Sequence, residues 1–317
     1  MRTRITDMLH IRYPIVQGGM VHVAEPPLAA AVSNAGGLGI LTGSLWTPTE
    51  LEAKVHETRA LTDKPFALNF TPTCEHLEDN LDVCIQTRVS AVTYGRGRHT
   101  TDLVSSKLWP HGIISIPVVA TAKQAQRVEK EGAHAVIVSG SEAGGHVSRV
   151  STLAVLPKVT ASVEIPVIAA GGFGDGRGLA AALALGADGI QMGTRFICTR
   201  ESVAHPETKQ MILGATESDT IVTGQITGLR IRVIKNKLTE AFVDLEERQA
   251  PRKEFDRLGL GKLKMGLVGG DTDLGSVPAG QIAGLVGDIP TCKELIDRII
   301  SEAGIAMDRM QKIWHSN

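Results

Sequence analysis

Along most of the chain, short runs of aliphatic and β-branched residues alternate with longer amphipathic runs rich in Ala, Leu, Glu and Lys. The short runs predict strands at Tyr13–Gln17, Leu38–Thr42, Phe66–Phe70, Ala91–Tyr94, Ile114–Val119, Ala135–Ser139, Pro166–Ala170 and Gly189–Met192. Between them, helical patterning covers Glu25–Ala35, Thr49–Leu61, Ala122–Glu131 and Gly176–Leu185. Strands alternating with helices argue for parallel pairing, and eight strands are the number that closes a barrel. The predicted fold is therefore α/β, a (β/α)8 TIM barrel, with a doubly wound open sheet as the alternative. The barrel pattern ends near Arg195. The stretch KNKLTEAFVDLEERQAPRKEFDRLG beyond it predicts a small helical subdomain, and Pro290–Trp314 a long amphipathic helix that packs back on the barrel. The expected division is a barrel over residues 1–206, a helical substrate or lid subdomain over 207–277, and a returning C-terminal segment over 278–317.

Composition narrows the partners. Hydrophobic residues make up 43% of the 317 positions but aromatics only 3%, so the core is built from small aliphatic side chains and glycine. This suits buried parallel strands and not base-stacking surfaces. Lys plus Arg number 33 against 34 Asp plus Glu, leaving no cationic excess for a phosphate backbone, and nucleic acid is not expected as a partner. The start of the chain lacks a signal-peptide apolar run, and no stretch reaches the roughly 20 apolar residues of a membrane span. Cys74, Cys84, Cys198 and Cys292 are far apart and form no CxxC pair. They read as reduced thiols of a cytoplasmic protein with no membrane partner and no metal.

In such a barrel the chemistry belongs at the C-terminal ends of the strands. After the first strand comes Gln17-Gly18-Gly19-Met20, which is either a tight turn or a place where a flat ligand approaches the backbone. After the sixth comes Ser139-Gly140-Ser141-Glu142-Ala143-Gly144-Gly145-His146, where Glu142 is either a partner that orients His146 or a solvated acid. An imidazole, which ordinarily changes charge near neutral pH, suits proton transfer there, against the plainer reading of a structural histidine. After the seventh comes Ala170-Gly171-Gly172-Phe173-Gly174-Asp175-Gly176, with Asp175 a plausible N-cap, and after the eighth Met192-Gly193-Thr194-Arg195. Paired glycine loops at these two places are where barrels bind phosphate through backbone N–H groups. The turn-rich Gly269–Gln281 run either closes over the site or merely connects subdomain and terminal helix.

Taken in order, YPIVQGGM, NAGGLGIL, LTDKPFALN, EAGGH, PVIAAGGFGDGRGLAAALALGADGIQMGTRF and GDTDLGSVPAGQ resemble the nitronate monooxygenase (2-nitropropane dioxygenase) family. Its wider superfamily includes FMN-dependent enoyl-acyl-carrier-protein reductases and NAD(P)H:quinone reductases. The resemblance covers nearly the whole chain. It implies FMN at the barrel rim, with Gly18, Gly19 and Met20 beside the isoalloxazine, Asn69 in contact with it, and Ala143 and Gly144 passing close. It implies that Gly171, Gly172, Gly193 and Thr194 hold the phosphate and that His146 is catalytic. It further implies oxidation of alkyl nitronates with dioxygen. EAGGH, IRVIKNKLT and GSVPAGQ look more like the enoyl reductases, for which an acyl substrate and NADH or NADPH as co-substrate are expected; LTDKPF and GDTDLG look more like the monooxygenase and quinone-reductase branch. Two departures from some nitronate-oxidising relatives stand out: His146 is followed by Val147-Ser148-Arg149 and not Pro-Gly-Glu, and the fifth strand ends in Val118-Val119 without a lysine. A homodimer is compatible with the sequence. A non-redox phosphate-binding barrel is the more distant reading.

Overall fold

Side chains at the helix starts delimit the repeating units. Thr47 and Glu50 form a reciprocal capping box that launches the helix Pro48–Leu61, with Pro48 at a position whose N–H would be unpaired in any case. Thr121 caps Ala122–Lys130, and Asp175 caps Gly176–Ala184 by accepting from Gly178 N. The intervening strands are short and buried on both faces. In the computed structural model, which describes residues 1–95 and 100–315, they are β1 Ile15–Gln17, β2 Gly39–Thr42, β3 Phe66–Phe70, β4 Ala91–Tyr94, β5 Ile114–Val119 and β6 Val136–Ser139. There follow β7 Gly145–His146, β8 Val167–Ala170, β9 Gly189–Met192, β10 Thr220–Thr223 and β11 Ile231–Ile234. The weakly patterned stretch near residues 90–101 falls partly on 96–99, outside the described residues.

Eight parallel strands run in the order β1-β9-β8-β6-β5-β4-β3-β2. A bridge between Val16 and Leu38 joins the two ends, with Leu38 N donating to Ile15 O and Gln17 N to Leu38 O. The buried Gln17 amide adds to the seam by donating to Ile40 O and accepting from Ile40 N. The sheet thus closes into the expected (β/α)8 barrel with helices around it. Inside, Val16, Ile40, Ala67, Ala91, Ile116, Ile137 and Ile168 form an apolar layer. Ile5 and Leu9 of the helix Arg4–Leu9 join that layer from below. Arg4 fixes this plug by bonding Asp188 and Glu164 O, both just before strands.

The C-terminal helix, Cys292–His315, buries Leu295, Ile296, Ile299 and Ala303. It packs on the helices Gly176–Ala184 and Pro26–Asn34, and Glu302 accepts a hydrogen bond from Gly176 N. The segment read as helical from sequence carries the helices Lys237–Glu247, Arg252–Gly259 and Lys262–Leu267. It also carries a feature the helical reading omitted: β10 and β11 form an antiparallel ribbon, and β7 from the barrel rim adds to its edge. Thr220-Ile-Val-Thr and Ile231-Arg-Val-Ile are β-branched runs of only four residues each, too short to outweigh the charged helical stretch beside them in a sequence pattern.

Candidate active site

One cavity of about 760 Å³ opens at the C-terminal ends of the barrel strands. The residues expected at the site, Gly18, Gly19, Met20, Asn69, Ala143, Gly144, His146, Gly171, Gly172, Gly193 and Thr194, all line it. Their surroundings differ in ways the sequence does not reveal.

The floor is mixed. Two residues beyond the apolar layer, the positions of the same inward parity are Gly18, Thr42, Asn69, Thr93, Val118, Ser139, Ala170 and Gln191, of which five are polar. Asn69, Ser139 and Gln191 face the cavity, while Thr42 and Thr93 are buried behind it. Ser139 and Gln191 were missed as site residues. The signal available for them was parity, since each is the last inward position of its strand. Gly19 lies so close to Asn69 that a Cβ there would overlap its Cβ and Cγ, so any other residue would displace the Asn69 side chain.

The two glycine loops form an open cradle. Gly171 and Gly172 have φ of +87° and +88°, a region that disfavours any side chain. Among the described residues, the N–H groups of Gly172, Gly193 and Thr194 have no protein acceptor outside regular secondary structure, while that of Gly171 lies on the β8–β9 ladder. A Cβ at Gly193 would meet nothing nearer than Met20 Sδ at 3.5 Å. The hydroxyl of Thr194 is already engaged, accepting from Gly280 N at 2.9 Å. Accepting that bond leaves the Thr194 O–H free to donate, so an anion held there would meet backbone N–H groups and this one hydroxyl. Arg195, next in sequence, turns away. Its buried guanidinium donates to the side chain and carbonyl of Asp288 and to Cys198 O. Burial pulls its pKa down against the opposing charge of Asp288, while Arg298 and then Arg195 hold Asp288 below the ordinary carboxylate range. This network ties the last barrel loop to the C-terminal segment.

Glu142 does not orient His146. Its carboxylate accepts from Thr152 N and Oγ1 and from Ser141 Oγ, occupying the start of the helix Thr152–Thr160. Ser151, the formal cap, makes no side-chain bond of its own. His146 is instead placed by backbone pairing, with His146 opposite Ile231, Gly145 opposite Arg232, and Val147 N donating to Arg230 O. The imidazole is exposed on the wall of the cavity.

The remaining walls come from late in the chain. Gly280 N and Gln281 N fasten the Gly269–Gln281 run to Thr194 and to Glu142 O, and Ser276, Pro278 and Gly280 line the cavity. Opposite, Leu238, Phe242, Phe255, Leu260 and Leu263 make an apolar face, with the two phenyl rings 6.1 Å apart between centroids. Sequence reasoning placed these residues in the subdomain but named none of them as site residues. Among the described residues, no helix is long and apolar enough to cross a membrane.

A family model described as nitronate monooxygenase matches residues 2–82 and 73–302. A Rhodococcus jostii protein named (3aS,4S,5R,7aS)-5-hydroxy-7a-methyl-1-oxo-octahydro-1H-indene-4-carboxyl-CoA dehydrogenase is 38% identical, over 96% of each chain. A probable nitronate monooxygenase of Staphylococcus saprophyticus is 33% identical, over 77% of this chain and 82% of its own length. The solved structure of FabK from Thermotoga maritima superposes with a TM-score of 0.95 and 41% identity, covering 99% of both chains. With the barrel, the paired glycine loops and the rim histidine in place, these matches establish that the chain belongs to the nitronate monooxygenase family.

Proposed function

We propose that the cavity holds FMN and that the chain uses it to oxidise alkyl nitronates with dioxygen. The observation that carries this reading is the pair of loops at Gly171–Gly172 and Gly193–Thr194. The N–H groups of Gly172, Gly193 and Thr194 have no protein acceptor outside regular secondary structure, and both loops share one cavity with His146. A phosphate fits such a cradle because backbone N–H groups bind anions without a paired cation. The turn Gly18-Gly19-Met20, the amide of Asn69 and the Ala143–Gly144 backbone would border the ring system, all being cavity residues. Bound there, FMN supplies two-electron redox chemistry linking the organic substrate to dioxygen. His146 receives or returns the substrate proton from the exposed edge of β7, and Glu142 keeps the loop beneath it in place by capping the next helix.

A second reading has its own support. The apolar face formed by Leu238, Phe242, Phe255, Leu260 and Leu263 extends the cavity well beyond what a small nitronate needs, and the Rhodococcus relative is named for a polycyclic carboxyl-CoA substrate. In that reading NADH or NADPH delivers the electrons and the C=C bond of an enoyl thioester is reduced. Anaerobic mixing of the flavin-loaded protein separates the two. A nitronate bleaches the flavin, air restores it, and NADH leaves it oxidised if the first reading holds. Bleaching by NADH or NADPH, followed by reoxidation with an enoyl thioester, would replace it with the second. A flavin that responds to neither would contradict both.

A further inference from the structure

β3 and β4 pair with Asn69 directly opposite Thr93. Both side chains point into the barrel, since Ala67 and Ala91, two residues earlier, belong to its interior. Thr93 is 1% exposed. The Asn69 Nδ2 lies 2.9 Å from Thr93 Oγ1 and 3.3 Å from the Thr93 carbonyl oxygen. A carbonyl oxygen only accepts, so the amide atom facing it must be the nitrogen; the flipped amide would set two acceptors against each other. The orientation of Asn69 is therefore decided by its partner and not by convention. Oδ1 is turned the other way. It lies beside the Gly18-Gly19-Met20 turn, where a Cβ on Gly19 would come within 2.5 Å of it. Among the described residues no protein donor reaches it. The hydroxyl of Thr42, its other neighbour in register, is buried with no hydrogen-bond partner and does not engage it.

We propose that Thr93 is a positioning residue: it locks the Asn69 carboxamide with its oxygen toward the cavity, so that the floor beside Gly19 presents an acceptor to an N–H edge of the bound ring. This inference rests on the FMN reading, because the isoalloxazine carries an imide N–H of the required kind. Thr93 itself touches no ligand. Its effect passes through Asn69, and a double-mutant cycle isolates that dependence.

The test measures FMN dissociation constants on the flavin-stripped full-length chain by quenching of flavin fluorescence. The variants are Thr93→Val, Thr93→Ser, Asn69→Ala and the double variant Asn69→Ala/Thr93→Val. Losing the hydroxyl removes the shorter of the two bonds that hold the amide and leaves only the 3.3 Å contact with the backbone carbonyl oxygen, and Thr93→Val should weaken FMN binding about tenfold, the worth of one well-placed hydrogen bond. Thr93→Ser keeps the oxygen and should bind as the parent does. In the Asn69→Ala background, Thr93→Val should add nothing. Parent-like affinity in Thr93→Val would overturn the inference, as would an undiminished tenfold loss in the Asn69→Ala background or a Thr93→Ser variant as weak as the valine. Thr93→Ala removes the same hydroxyl and gives the same reading if the valine variant does not fold. A parent chain that takes up no FMN would overturn the cofactor reading itself and this inference with it.

Discussion

Gly193→Asp is expected to lose FMN while keeping its fold. Gly193 has a φ of −105°, outside the left-handed region that favours glycine, and its Cβ would meet nothing nearer than Met20 Sδ. The new carboxylate would then stand in the cradle that Gly171, Gly172, Gly193 and Thr194 form. Two like charges about 4 Å apart repel by roughly 4 kcal/mol at an effective dielectric near 20, which corresponds to about a thousandfold weaker binding. The carboxylate would also accept the N–H groups that otherwise serve the phosphate. Gly172→Asp should behave alike toward FMN, but its φ of +88° adds backbone strain, so Gly193 gives the cleaner experiment. Equilibrium dialysis with FMN, alongside a thermal melt, measures both quantities. Full flavin occupancy in Gly193→Asp would show that the phosphate lies elsewhere.

His146→Ala is expected to lower turnover by about 10²–10⁴ while changing FMN affinity little. General acid–base assistance is worth about that much. The strand that carries the imidazole is held by backbone pairing to β11, so alanine keeps the pairing that positions the rim. A nitronate is already an anion, whereas its parent nitroalkane must first give up a carbon-bound proton. The variant should therefore suffer more with the neutral compound. Stopped-flow rates of flavin reduction and reoxidation, for both compounds, measure the difference. Unchanged rates in a folded, flavin-loaded variant would remove His146 from the mechanism.

The barrel was legible because its strands are separate apolar runs alternating with amphipathic ones, and Asp175 announces the cap of the helix that follows it. The paired glycine loops were legible for a related reason: barrel topology states where they must fall. What escaped the sequence reading depends on contacts between distant segments. A strand of two residues, Gly145–His146, has no pattern of its own and exists only because β11 offers an edge. Glu142 sits four residues before His146 in sequence, yet its charge is spent on Thr152. The Thr194 hydroxyl accepts from Gly280 N, 86 residues on. Ser139 and Gln191 look unremarkable until strand parity puts them inside the barrel beside Asn69. The apolar face of Leu238, Phe242 and Phe255 resembles the buried side of any amphipathic helix until the fold sets it across the cavity.

The central claim is that this cavity binds FMN, and the most direct measurement is the visible spectrum of the purified full-length chain together with the mass of whatever denaturation releases. The expected result is a yellow protein that releases one intact FMN per chain, because among the described residues the cavity has one such pair of glycine loops and no dinucleotide-binding βαβ unit beside it. A colourless protein that also fails to take up added FMN, or one that releases FAD, would contradict it.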